Sequence, residues 1–93
     1  MSASELARWL KSAESTSVGF TRAGTSDSVG HRSGRRIVDI LTKTASRRTA
    51  ADLAHMRKVV GYVHRHLAQR PEGDISATPW RYSLMNWGHD PEK

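Results

Sequence analysis

One amphipathic segment, TAADLAHMRKVVGYVHRHLAQR at residues 49–70, constrains this chain more than any other stretch. At about 100° per residue, Leu53, Met56, Val60, Val63 and Leu67 fall on one stripe, with Val59 at its margin. Thr49 offers a side-chain oxygen to the free amides of a first turn, and Asp52 stands where it can answer it. Pro71 pushes Arg70 out of helical geometry and sets the far end. A helix over 49–70 runs roughly 30 Å, at about 1.5 Å per residue. In a chain of 93 residues the other elements must pack on or around it. On this reading Val60→Asp unfolds or severely destabilises the protein, because the charge enters the main apolar stripe. The opposite face carries Ala54, Lys58, Gly61, Tyr62, Arg65 and Gln69. That face is cationic, with a bare patch at Gly61 that either admits the close approach of a second helix or of DNA or is merely exposed.

Charge is concentrated on the same region. The chain carries a net +6, yet residues 31–70 hold ten arginines and lysines against only Asp39 and Asp52. That segment is therefore +8 and the flanks together −2. Most of these cations are arginine, whose planar fork matches phosphate oxygens in pairs. The concentration implies an anionic partner, with nucleic acid the commonest candidate; the alternative is a solvated face that keeps the protein soluble. The length suits one domain with a modest core. The absence of cysteine removes disulfides, thiolate catalysis and thiolate metal sites. No signal peptide or membrane span is evident, so a soluble intracellular protein, cytoplasmic or associated with the nucleoid or nucleus, is expected.

The remaining elements follow in chain order. Residues 4–10 read as a short helix capped by Ser2 or Ser4, with Leu6, Trp9 and Leu10 at helical spacing and Trp9 laid over the core. Residues 15–32 are rich in Ser, Thr and Gly and read as a partly mobile loop whose Val18, Phe20 and Val29 return to the core. A second helix carries Ile37, Ile40 and Leu41 as its buried stripe. Its start is open. With Ser33 as cap, Gly34, Arg35 and Arg36 form the first turn, and Ser28, Gly30, His31, Ser33 and Gly34 make an anion-binding loop. With Ser26 or Asp27 as cap, Gly30, Gly34, Ile37 and Leu41 share one face and the glycines permit close helix packing. The joint at 44–48 fits an antiparallel helical hairpin, and less well a helix-turn-helix, since it lacks the usual glycine. After a polar loop at 71–77, Thr78 and Pro79 start a last helix that places Trp80, Leu84 and Trp87 on one side as core lids and ends at Gly88. Arg81 and Tyr82 face elsewhere and are candidate contacts.

Catalysis finds little support. His64 and His66 point about 200° apart on a helix, and His55 is not one turn from either, so no helical metal pair exists. His31 near Ser28 or Ser33 is the one local suggestion of a nucleophile and base. No cofactor motif occurs, and the expectation is a binding protein rather than an enzyme.

Four blocks carry a family resemblance: SVGH at 28–31, SGRRIV at 33–38, AHMRKVVGYV at 54–63 running on to Pro71, and WRYSLMNWGHDP at 80–91. Together they resemble a family of small microbial proteins known as DUF3140, a domain of unknown function some of whose members are labelled DNA-binding. The resemblance spans most of the chain and implies a standalone single domain with a nucleic-acid connection. Members often carry an acid where this chain has Arg32.

The reading is therefore an all-α single domain of about four helices around a long helix at 49–70. Its expected function is binding of nucleic acid, DNA in the first instance, through phosphate contacts with little base specificity. The candidate contacts are Arg35, Arg36, Arg47, Arg48, Lys58 and Arg65. The alternative is a protein-interaction, self-association or small-anion module built on residues 28–36.

Overall fold

Ser2 caps the first helix with a complete capping box: its Oγ accepts from the Glu5 amide, and the Glu5 carboxylate accepts from the Ser2 amide. A computed structural model describes residues 1–18 and 28–93. The elements are α1 (Ala3–Leu10), α2 (Ala13–Thr16), α3 (Val29–Thr42), a 3₁₀ turn (Ala45–Arg47), α4 (Ala50–Leu67) and α5 (Pro79–Asn86). The all-α expectation holds, with five α-helices rather than about four and no strand among the described residues. The extra helix is α2, a single turn capped by Ser12 where the sequence reads as the fading end of α1. The rest of the Ser/Thr/Gly-rich stretch, residues 19–27 with Phe20, lies outside the described residues. No described helix is long and apolar enough to cross a membrane.

The helix ends obey local chemistry. Thr49 and Asp52 form the capping box of α4, and Thr78 caps α5 with Pro79 in its first turn. At φ +83°, Gly88 ends α5 in the left-handed conformation, where the His89 amide reaches the Leu84 carbonyl. The start of α3 differs from both alternatives. Ser28 is its cap, accepting from the His31 amide, so residues 29–36 are already helix. The anion-loop reading of Ser28, Gly30, His31, Ser33 and Gly34 is corrected accordingly: Ser28 is the cap, the other four sit in helical turns, and all five are buried.

Burial of the glycines has a packing cause. A Cβ on Gly34 would lie 2.5 Å from the Asn86 carbonyl oxygen and 2.7 Å from Leu10, and one on Gly30 would lie 2.9 Å from the Trp87 indole nitrogen. Here α3 meets α1 and the end of α5 with no room for a side chain. The pairing of α1 with α3 is the most extensive in the fold, and α5 touches each of the other four α-helices. The arrangement around α4 expected from sequence is thus centred on the shorter α5. Leu6, Leu10, Ile37, Val59 and Trp87 form the main core, with Ile75, Trp80 and Leu84 as a second cluster. Asn86 ties the N-terminal elements to this centre: its side-chain oxygen accepts from Trp9 Nε1 at 2.8 Å and from Ser15 Oγ, and its amide donates to the Ser15 carbonyl.

The inward face of α4 is rotated from the apolar stripe. Val59 is buried, whereas Leu53 and Val60 are 49% and 55% exposed. Leu41, expected inside, is also exposed. The reason is aromatic. Tyr62 stacks on Trp87 at 4.1 Å between centroids, and His66 stacks between Tyr62 and Trp80 at 5.4 and 5.8 Å. Trp80 Nε1 also donates to the His66 carbonyl. These contacts turn α4 toward its aromatic side and leave Met56, Val60, Val63 and Leu67 lining a groove beside Ile37 and Leu41.

Three substitutions check this packing by urea denaturation. Gly34→Ala is expected to destabilise by about 1–3 kcal/mol, because the Asn86 backbone must shift. Gly61→Ala meets only the guanidinium end of Arg65 and should stabilise by about 1 kcal/mol through helix propensity. Val60→Asp should now leave a folded protein within about 0.5 kcal/mol of the original, as for other exposed sites.

Candidate functional site

The basic residues do not spread evenly over the surface. Arg32 and Arg36, one turn apart on α3, and Lys58 on α4 line a single cleft of about 200 Å³. Its other lining residues are Val29, Ser33, His55 and Trp87, so no acid faces it. The cleft exists because α3 and α4 do not pack closely along their length; the Trp87 ring fills part of the space between them.

At its polar wall, Ser33 Oγ and His55 Nε2 are hydrogen-bonded at 3.0 Å. Burial, reinforced by the neighbouring Arg36 and Lys58 charges, pushes the His55 imidazole below the ordinary histidine value. Negative charge beside it would act in the opposite direction, favouring the protonated form. The pairing of Ser33 with His55 also replaces the local pairing of His31 with Ser28 or Ser33 suggested by the sequence. His31 Nε2 is instead 2.7 Å from the Leu10 carbonyl oxygen, where it serves the end of α1. Among the described residues no group of three His, Asp or Glu is placed to hold a metal ion.

Behind the cleft lies Asp52, buried at the start of α4. Its carboxylate accepts from the Thr49 amide at 3.0 Å and from Lys43 Nζ at 2.9 Å, and Arg36 stands 3.7 Å away. The Thr49 amide and the Lys43 ammonium hold its pKa down at about 2. Lys43 is the closer counter-charge and also pairs with Asp39 at 3.6 Å, and Arg36 shares the Asp52 carboxylate as a longer ion pair. One carboxylate thus joins the C-terminal half of α3 to α4 and aims a guanidinium at the cleft.

The six contacts expected from sequence divide on this geometry. Arg36 and Lys58 come together. Arg35 lies on another side of α3, beside His31 and close to Leu10 and Lys11 of the α1 end. Arg47 is exposed in the 3₁₀ turn. Arg48 is half-buried and donates Nε to the Ile40 carbonyl at 3.2 Å, completing the end of α3. Arg65 folds back over Gly61 on α4. Arg81, singled out as a contact, forms a two-point pair with the buried Asp90 and also donates to the Ser76 carbonyl. Tyr82 packs against Trp9 at 5.5 Å. Sequence reasoning missed Arg32 and His55; the 32/36 spacing of one helical turn was the signal for the first, once the helix is known to begin at Val29.

The ion-pair node sets a measurable acid response. Because folding lowers the Asp52 pKa from 3.8 to about 2, its contribution is complete above pH 4 and is lost as pH falls toward 2. Asp52→Ala should lower the urea midpoint at pH 7 and flatten the dependence of stability on pH between 4 and 2. An unchanged acid profile would remove Asp52 from this role.

No curated protein and no solved structure matches the chain. A family model described as protein of unknown function (DUF3140) matches residues 1–85, nearly its whole length. The cleft, the aromatic contacts of α4 and the glycine crossing all fall within or beside that match, and the chain belongs to the DUF3140 family.

Proposed function

We propose that this protein binds nucleic acid through phosphate groups, anchored at the cleft between α3 and α4. The observation that carries the reading is the convergence of Arg32, Arg36 and Lys58 on one cleft with no acidic lining residue. Two of these are arginines, able to grip phosphate oxygens in pairs, and Lys58 adds a point charge. The wider positive field of residues 31–70 attracts a polyanion from a distance and depends on ionic strength. Base readout is not part of the proposal. Trp87 is buried under its stacking on Tyr62, so it offers no free face for a base.

The small volume of the cleft favours a second reading, a site for a small phosphate-bearing molecule. At about 200 Å³ it falls below the roughly 300–1,000 Å³ of ordinary ligand pockets. A salt titration separates the two. For duplex DNA, replacing Arg32, Arg36 and Lys58 together by Ala should reduce the log–log salt slope by about 1 unit, at about 0.9 for the one backbone phosphate the cleft no longer neutralises. The loss should be similar for unrelated sequences. If the native protein binds inorganic phosphate but no duplex, single strand or RNA at roughly 50 mM salt, where electrostatic binding is strong, the small-molecule reading replaces the first.

A further inference from the structure

The cleft has features that a general backbone contact does not need. Three cations converge on a concavity instead of forming a track. Three of the other expected contacts are engaged elsewhere: Arg35 lies beside His31, Arg48 serves the Ile40 carbonyl, and Arg65 lies over Gly61. A phosphodiester within a strand brings one negative charge against the three cations Arg32, Arg36 and Lys58, of which Arg36 also meets Asp52 at 3.7 Å. It also carries an ester arm on two of its oxygens, and both arms must leave a site walled by two helices.

A phosphate monoester fits these constraints better. It carries about −1.5 to −2 at pH 7 and presents three free oxygens, with a single arm leading out to solvent. Around it the cleft offers two guanidinium groups, one ammonium, the Ser33 hydroxyl and the His55 imidazole. Asp52 does not line the cleft; its nearer counter-charge is Lys43 at 2.9 Å, and Arg36 meets it at 3.7 Å through the back of the site. The apolar part of the lining, Val29 and Trp87, gives low-dielectric walls that strengthen each charge contact. The volume admits a phosphate and little more, so the group attached to it remains outside.

We infer that the cleft between α3 and α4 is a receptor for a terminal phosphate monoester, so that the protein engages nucleic acid at phosphorylated ends. The inference rests on the nucleic-acid reading for the source of that group, while the site itself would take the same chemistry from a free small phosphate. Arg32 and Arg36 hold the oxygens, Lys58 closes the cleft from α4, and the Ser33–His55 pair contacts the buried side of the group.

The test compares one strand of about 20 nucleotides in four forms: 5′-phosphorylated, 3′-phosphorylated, hydroxyl at both ends, and closed into a circle. Titrations at roughly 150 mM salt should show one phosphorylated linear form binding about tenfold or more tighter than the circle, the scale of one or two additional charge-assisted contacts. Inorganic phosphate should compete with that form and shift the assigned His55 resonances. Lys58→Ala and Arg32→Ala, both at exposed positions, should abolish the preference while the helical spectrum is unchanged. Equal binding of all four forms overturns the end-recognition inference and leaves general nucleic-acid binding standing. Binding of inorganic phosphate with His55 shifts, but of no strand, overturns the nucleic-acid reading and retains the monoester site. Retention of the preference in both variants overturns the placement of the site in this cleft.

Discussion

The column of rings Trp87, Tyr62, His66 and Trp80 is the interaction on which the placement of α4 depends. Both ends of the column belong to α5 or its cap, and the two middle rings lie one turn apart on α4. Aromatic pairs contribute about 0.5–1.5 kcal/mol each beyond their buried area. Three such stacks amount to a substantial part of the roughly 5–15 kcal/mol that holds an ordinary domain together. The reciprocal bonds of the His66 and Trp80 backbones and rings fix the register of α4 against α5. With α4 held from that side, it meets α3 in the core at Ile37 and Val59 and, nearer the cleft, through Asp52, the Ser33–His55 pair and the edge of Trp87. The cleft is the space this arrangement leaves.

Electrostatics then decides what the space can hold. A buried carboxylate costs folding energy unless it is paired and hydrogen-bonded. Asp52 meets that condition through the Thr49 amide and Lys43. Arg36 shares the same carboxylate at 3.7 Å, the longer of the two ion pairs. An arrangement in which Arg36 was the sole partner of Asp52 would cancel one of the three charges facing the cleft. His55 adds the opposite property. Burial and two cations disfavour its charged form. Negative charge beside those cations would act in the opposite direction on the imidazole.

Much of this fold was legible in the sequence where the physics is local. Thr49 with Asp52, Thr78 with Pro79, and Gly88 after α5 are motifs whose partners lie within a few residues, and each forms as read. Trp80, Leu84 and Trp87 share a buried side for the same reason. The face of α4 was misread because hydropathy ranks Leu53 and Val60 above Tyr62 and His66, while ring stacking and hydrogen bonds reverse that order in the folded chain. Gly30 and Gly34 admit either a flexible anion loop or a tight helix crossing. Only Leu10, Asn86 and Trp87, distant in sequence, decide between them. The site was harder still. Arg36 and Lys58 were identifiable as cations, but their convergence depends on the separation of α3 from α4, and Ser33 meets His55 across 22 positions.

The two flanks of α4 are chemically unlike, and one residue belongs to both. On one side His55 and Lys58 face the basic cleft; on the other Met56, Val60 and Val63 line the apolar groove. Trp87 lines each of them while stacking on Tyr62 between them. A close-packed ring cannot shift toward one flank without opening space at the other. Gly30 tightens this constraint, since its missing side chain lets the Trp87 indole nitrogen sit directly against α3. The position of Trp87 is thus fixed from α3, α4 and α5 together. The spacing of Arg32 and Arg36 from Lys58 is inherited from that packing, so the geometry of the basic cleft is a property of the core rather than of the surface residues that line it.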